Sequence, residues 1–243
     1  VYNEGVLNNK PDARIVINRV VTAGVHLSAG EFVNEGELLV GDLTTISNLI
    51  TANTGELRNK ANGIVKGNGR IDAGKFINEG GALSPGTHTG IITLSAAFNF
   101  ANNTLMMDVN GVGVGGIDYD QVLVTGVATL GGTLQLNINY TPTIGDQIHI
   151  LNADYVVGTF ASVVGMASGW KIIYYPTSVW LVYGTGPTTW TGDVDSDWSN
   201  VGNWSAGIPD ATSDVIIANG LNQAHILSGV INAKSLLINE NAS

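Results

Sequence analysis

One short phrase recurs along the first third of the chain. Asn3-Glu4-Gly5-Val6-Leu7 returns as Asn34-Glu35-Gly36-Glu37-Leu38, as Asn53-Thr54-Gly55-Glu56-Leu57 and, more loosely, as Asn78-Glu79-Gly80-Gly81-Ala82-Leu83. The copies start 31, 19 and 25 residues apart, and partial copies lie between them at Asn62-Gly63-Ile64-Val65 and Asn68-Gly69-Arg70-Ile71. Asparagine and glycine tolerate positive φ, so the pair marks a tight corner. The Leu, Ile or Val that follows opens a short strand with one face inward. A corner and a short strand repeated every ~20–30 residues is the rung of a β-solenoid. Neighbouring rungs then pair as parallel strands, inward side chains share one core, and stacked asparagines form hydrogen-bonded ladders.

Composition agrees. Charged residues are 12% of the chain, about half the usual share. Like charges one rung apart would repel, so a low charge suits stacking. Glycine is 32 of 243 residues and asparagine 25. At ~20–25 residues a rung, residues 1–184 supply about eight rungs. One stretch competes. Leu43, Ile46, Leu49 and Ile50 fall at helical intervals behind Asp42, a potential N-cap. Thr44, Thr45, Ile46, Ile50 and Thr51 are β-branched, and they favour a strand there.

From Ile91 to Tyr183 the pattern is alternation. Leu134, Leu136 and Ile138 face one way and Gln135, Asn137 and Asn139 the other; Ile148 and Ile150, and then Val179, Leu181 and Tyr183, repeat it. Gly115-Gly116, Gly131-Gly132, Pro142 with Gly145-Asp146, and Gly158 punctuate these runs as turns. Aromatic residues gather from Trp170 to Tyr183, as a cap over the last rung requires. Gly184 to Thr189 reads as a linker, and the composition then changes. The organisation expected is all-β: a solenoid module with its cap over residues 1–184, a linker at 185–189, and the start of a second solenoid module over 190–243. Trp190, Trp198 and Trp204 would plug the new module.

These runs carry a resemblance. Leu83-Ser84-Pro85-Gly86, Asp118-Tyr119-Asp120-Gln121-Val122, Val124-Thr125-Gly126, Leu130-Gly131-Gly132-Thr133-Leu134, Gly145-Asp146-Gln147-Ile148-His149-Ile150-Leu151 and Gly158-Thr159-Phe160 look like passenger repeats of autotransporter-type, adhesin-like surface proteins of Gram-negative bacteria. Trp190-Thr191-Gly192 through Asn203-Trp204-Ser205 to Pro209 resembles the start of β-helical modules in such proteins. The resemblance implies a right-handed parallel β-helix, secretion and a place at the cell surface. It offers no catalytic residues.

The same residues include patterns that could carry sharper chemistry. Gly111-Val112-Gly113-Val114-Gly115-Gly116 fits a dinucleotide fingerprint, but a strand pattern follows where that motif needs a helix. It reads as a turn. Asp193, Asp195 and Asp197 place oxygens at alternate positions, as a calcium loop does, with Trp198 and Trp204 where an EF-hand has Gly and Glu. They are the candidate metal ligands, with a solvated acidic turn as the plainer reading. Trp190, Trp198 and Trp204 are the candidate sugar-stacking platform, with core packing as the plainer reading. Asp108, Asp118 and Asp120 are the acidic group of the middle third, and no Arg or Lys lies between Lys75 and Lys171 to hold an acidic sugar. The four histidines stand apart from one another.

Function follows from what is left. A net charge of −10 repels phosphate backbones and anionic lipid. The absence of cysteine removes disulfides and thiolate chemistry. No apolar run is long enough for a spanning helix, and the first residues lack the pattern of a signal peptide. The absence of an initiator methionine and an end in mid-pattern read as a slice of a longer polypeptide. The expectation is a non-enzymatic extracellular repeat protein, a stalk or adhesin segment without cofactor, calcium apart. Its partners would be other modules of the same polypeptide, host or matrix glycans and other cell-surface proteins, with neither nucleic acid nor membrane insertion. The alternative is an extracellular β-helix that binds or cleaves polysaccharide.

Overall fold

The structure is a computed structural model. It describes the chain apart from residues 1, 4, 18–25, 28–29, 42–46, 52–54, 73–75, 185–187, 212, 218–221, 228–229 and 240–243. More than half of the described residues lie in strands, and the one helical element among them is a 3-10 turn at Val201–Asn203. Two compact units are present. One comprises Val1–Tyr140, His149–Met166 and Pro176–Val179; the other comprises Thr141–Ile148, Ala167–Tyr175 and Trp180–Ser243.

The first unit is a parallel β-solenoid built on three sheets. Val6–Asn9, Glu31–Asn34, Glu56–Lys60 and Phe76–Glu79 stack as the first. The second has seven strands, from Arg14–Ile17 through Glu37–Val40, Ile64–Gly67, Ala82–Pro85, Thr104–Val109 and Thr133–Ile138 to Ser162–Val164. The third runs through Ser47–Thr51, Gly69–Asp72, Ile91–Leu94 and Gln121–Thr129 to Gln147–Val157. Ser47–Thr51 is a strand, as its β-branched residues favour; the first half of the helical alternative, residues 42–46, lies outside the described residues.

In-register pairing turns the alternation of each strand into a column. On the second sheet Leu38 pairs with Val65, Val65 with Leu83, Leu83 with Leu105 and Leu105 with Leu134. All five are almost wholly buried. Each such side chain contributes roughly 1.5–3 kcal/mol of transfer free energy. Phe32 and Leu57 extend the interior along the first sheet, and Ile92 and Val122 along the third. Stacking also puts Glu31 directly over Glu56, and Arg58 forms ion pairs with both and with Glu79.

A buried asparagine ladder runs beside the aliphatic columns. Asn9, Asn34, Asn59 and Asn78 occupy the same register position on successive rungs of the first sheet. Asn9 Nδ2 donates to Asn34 Oδ1 at 2.7 Å, Asn34 Nδ2 to Asn59 Oδ1 at 2.8 Å, and Asn59 Nδ2 to Asn78 Oδ1 at 3.3 Å. Each amide also bonds a backbone carbonyl past the corner: Glu37, Ile64, Ala82 and Gly81 in turn. Two of the glycines that follow are required by this packing. A Cβ on Gly63 would strike the Asn34 carbonyl oxygen and Asn59 Oδ1, and one on Gly81 would strike Asn59 Nδ2.

The ladder uses a register different from the written phrase. Asn34 and Asn78 belong to it; Asn3 is a strand residue paired with Leu27 in a separate two-stranded sheet, and Asn53 lies outside the described residues. Asn9 and Asn59 are ladder members without a full copy of the phrase. Beyond Asn78 phenylalanines fill the corner: Phe76, Phe98 and Phe100 pack with centroids 4.8 and 4.6 Å apart. Asn103, buried at the next corner, has no partner for either side-chain polar atom among the described residues.

Parallel stacking ends in a reversal. Trp170–Tyr175 and Ser178–Tyr183 form a hairpin about Pro176-Thr177, closed by the Gly184 N–H to the Gly169 carbonyl at 2.7 Å. Trp170 is buried and packs against Tyr183 at 5.1 Å. In the second unit Thr188–Trp190, Asp214–Ile217 and Ser235–Ile238 pair in parallel, Thr188 with Val215 and Val215 with Leu236. These long intervals between paired strands are again those of rungs. Of the linker positions, 185–187 lie outside the described residues, and Thr188 and Thr189 begin the first of these strands.

Two buried asparagines then respond oppositely to truncation. Asn34→Ala strands the amide of Asn9 and the oxygen of Asn59, and lowers unfolding free energy by about 1–3 kcal/mol in urea titration. Asn103→Ala removes only unpaired polar atoms, and leaves stability unchanged or raised.

Candidate functional site

The polar chemistry of the second unit is arranged around a tryptophan core. Trp190, Trp198 and Trp204 are 1%, 6% and 3% exposed and surround Val215. Trp198 meets Trp204 edge-on at 4.5 Å, and Trp190 meets Trp204 edge-on at 5.0 Å. Two indole N–H groups are satisfied inside: Trp190 Nε1 donates to the Asn222 carbonyl at 2.7 Å and Trp204 Nε1 to the Trp198 carbonyl at 2.8 Å. The sequence therefore brings these three rings together, as a plug requires. Burial at this level leaves no ring face open for a sugar to stack on.

The acidic loop Asp193–Asp197 wraps Asn203, which is fully buried. Asn203 Oδ1 accepts from the N–H groups of Val194 and Asp195 at 2.9 and 3.1 Å, and its Nδ2 donates to Asp195 Oδ1 at 2.7 Å and to the Asp197 carbonyl at 3.0 Å. Asp195 Oδ1 also accepts the Asp197 N–H, and Oδ2 accepts Asn200 Nδ2 at 2.7 Å. These donors, Asn200 first and Asn203 next, hold the Asp195 carboxyl below the usual aspartate range. Asp197 Oδ1 accepts the N–H and hydroxyl of Ser199. Asp193 is exposed. Among the described residues no three His, Cys, Asp or Glu side chains form a group able to hold a metal ion. The oxygens of Asp195, and Oδ1 of Asp197, face N–H and O–H donors, which disfavour a cation in the same place.

Beside this loop lies a groove of about 530 Å³ lined by Trp198, Ile208, Pro209, Asp210, Leu227 and Val230 among others. Leu227 and Val230 are 70% and 88% exposed. One groove wall is a locked turn. Ser213 Oγ donates to Asp210 Oδ1 at 2.9 Å, and Lys171 Nζ reaches Ser213 Oγ and Asp210 Oδ2, both at 3.1 Å. A serine next to a lysine is nucleophile chemistry only where the amine is free to take a proton. Here Lys171 is paired with a carboxylate, so the trio braces the turn. Sequence inspection misses it because 42 residues separate Lys171 from Ser213.

The acidic group of the first unit does not converge on an open cleft. Asp108 Oδ1 accepts Asn137 Nδ2 at 2.8 Å, and Asp118 Oδ2 accepts the Val114 N–H at 2.7 Å inside the glycine-rich turn. A strand, Gln121–Thr129, follows that turn. Asp120 is 1% exposed and bolts two rungs together: Oδ1 accepts the Gly90 N–H at 2.8 Å and Oδ2 the Asp108 N–H at 2.7 Å. Burial pushes its carboxyl up to about 8, with Asp108 adding to the effect and the two N–H donors opposing it. Burial lowers His149 from the usual histidine value.

Three outcomes follow. Trp204→Ala costs about 3–5 kcal/mol of second-unit stability by tryptophan fluorescence, whereas Asp193→Ala, at an exposed position, changes it by less than ~0.5 kcal/mol. The folded Asp120 carboxyl titrates above the unfolded one, so its contribution is whole below the ordinary aspartate range and is lost as pH rises to about 8. The melting temperature of the wild type relative to Asp120→Asn therefore falls between about pH 4 and pH 8 and levels off above it. No protein-family model matches this chain, and no curated protein matches it.

Proposed function

We propose that this chain is a non-enzymatic structural segment of a large extracellular bacterial surface protein, a stalk or adhesin segment of the autotransporter-like kind. The observation that carries the reading is the continuous in-register stack of the first unit, with its aliphatic columns and asparagine ladder. Such a stack resists bending because each rung is hydrogen-bonded to the next, along three sheets as far as Phe76–Glu79 and along two beyond it. It reaches this without a cysteine, hence without disulfides.

The outward positions suit a spacer in contact with water and glycans. Gln135, Asn137 and Asn139 are exposed on the second sheet, and Asn137 and Asn139 bond Asp108 and Asn110 of the preceding rung. Amide and carboxylate side chains pair there in a row, without a cation. The partners are then other modules of the same polypeptide, host or matrix glycans, or neighbouring surface proteins. A net charge of −10 disfavours nucleic acid. No helix among the described residues is long and apolar enough to cross a membrane.

The test is a panel of neutral and acidic polysaccharides incubated with the chain, read by a reducing-sugar assay and by ultraviolet absorbance for elimination products, together with single-molecule pulling. The expected result is no cleavage product and rung-by-rung mechanical resistance. Release of sugar ends, or unfolding at negligible force, overturns the proposal.

A further inference from the structure

We infer that Asn110-Gly111, at the mouth of the glycine-rich loop, is a site of spontaneous backbone-assisted deamidation, and that the fold protects the Asn-Gly pairs at Asn62 and Asn68. The chemistry is intramolecular. The Gly111 backbone nitrogen gives up its proton to solvent base and attacks Asn110 Cγ. The N–Cγ bond forms, the Cγ–Nδ2 bond breaks, and the amide nitrogen leaves as ammonia after taking a proton from water. The resulting succinimide then adds water at one of its two carbonyls, giving aspartate or isoaspartate at position 110. Nothing is oxidised or reduced, and water is the only co-reactant.

The step needs a free attacking nitrogen, an accessible side chain and a backbone able to close a five-membered ring. Glycine after asparagine supplies the last, since it adds no Cβ beside the attacking atom. The chain contains four Asn-Gly pairs, of which Asn219-Gly220 lies outside the described residues. At Asn62 the Gly63 nitrogen is engaged with the Lys60 carbonyl at 2.8 Å, and Gly63 is buried against the asparagine ladder. At Asn68 the side-chain oxygen accepts the Ile91 N–H at 2.7 Å, and Gly69 is a buried strand residue paired with Ser47 and Ile92. Ring closure at either place would distort buried glycine backbone, bonded to Lys60 at one and paired on both sides in a sheet at the other.

Asn110 is different. Its side chain is exposed, and the Gly111 nitrogen has no acceptor among the described residues. The loop is tied at its base and tip by Asp118: its carbonyl accepts the Asn110 N–H at 2.8 Å and its Oδ2 the Val114 N–H at 2.7 Å, so the peptide between them is unpinned. Asn139 Nδ2 donates to Asn110 Oδ1 at 3.0 Å, which stabilises negative charge on that oxygen as the tetrahedral intermediate forms. Conversion adds a carboxylate between Asp108 and Asp118, and in the isoaspartyl form lengthens the loop backbone by one carbon.

Peptide mapping by mass spectrometry, with isoaspartyl methyltransferase labelling, follows the folded chain during incubation in mildly alkaline buffer. Asn110 is expected to convert on the order of tenfold faster than Asn62 or Asn68, and the difference is expected to vanish in denaturant. Gly111→Ala places its Cβ 3.5 Å from the Asp118 Cβ, an ordinary contact, so the loop is kept while the attacking nitrogen is hindered. That variant is expected to slow conversion on the order of tenfold. An intact Asn110 in the folded chain, or equal rates at all three pairs before denaturation, overturns the inference.

Discussion

In-register stacking is the constraint on which the first unit rests. Once rungs pair residue for residue, every choice at one level is imposed on the next. An aliphatic residue needs one above it, a buried amide needs an amide, and a charge needs a neighbour of opposite sign. Leu38 to Leu134 satisfies the first demand, Asn9 to Asn78 the second, and Arg58 between Glu31, Glu56 and Glu79 the third. The buried amides are tolerable only because the ladder and the corner carbonyls together fill their hydrogen bonds.

The ladder keeps its register on the first sheet although rung length varies. Its members are 25 residues apart for two steps and then 19. Later rungs, past the phenylalanine corner, are 29 apart where Asn137 meets Asp108 and Asn139 meets Asn110. The surplus is taken up at corners, including the glycine-rich loop after Val109. Asp120 closes that loop by bonding backbone of two rungs.

The second unit solves a different problem. Three tryptophans make its core, and asparagine is again the organiser, now inside a single loop. Asn203 satisfies two backbone N–H groups and tethers Asp195. The same residue type thus links rungs in one unit and shapes a turn in the other. In each, a buried planar amide has both its donor and its acceptor occupied.

What the sequence determined was the class of fold. Short alternating strands, Asn-Gly corners and few charges leave parallel rungs as the arrangement that buries one face of every strand, and the tryptophans after residue 190 announced a second core. Which asparagines form the ladder was decided only in three dimensions. Its glycine partner falls two residues on at Asn34, three at Asn78 and four at Asn59, so the spacing hides it in the linear chain. The environment of each carboxylate was likewise set by the fold: Asp193, Asp195 and Asp197 read alike in sequence, but Asp195 and Asp197 have oxygens occupied by local donors and Asp193 has none among the described residues. Burial and hydrogen bonding depend on residues tens of positions away, and local pattern carries no record of them.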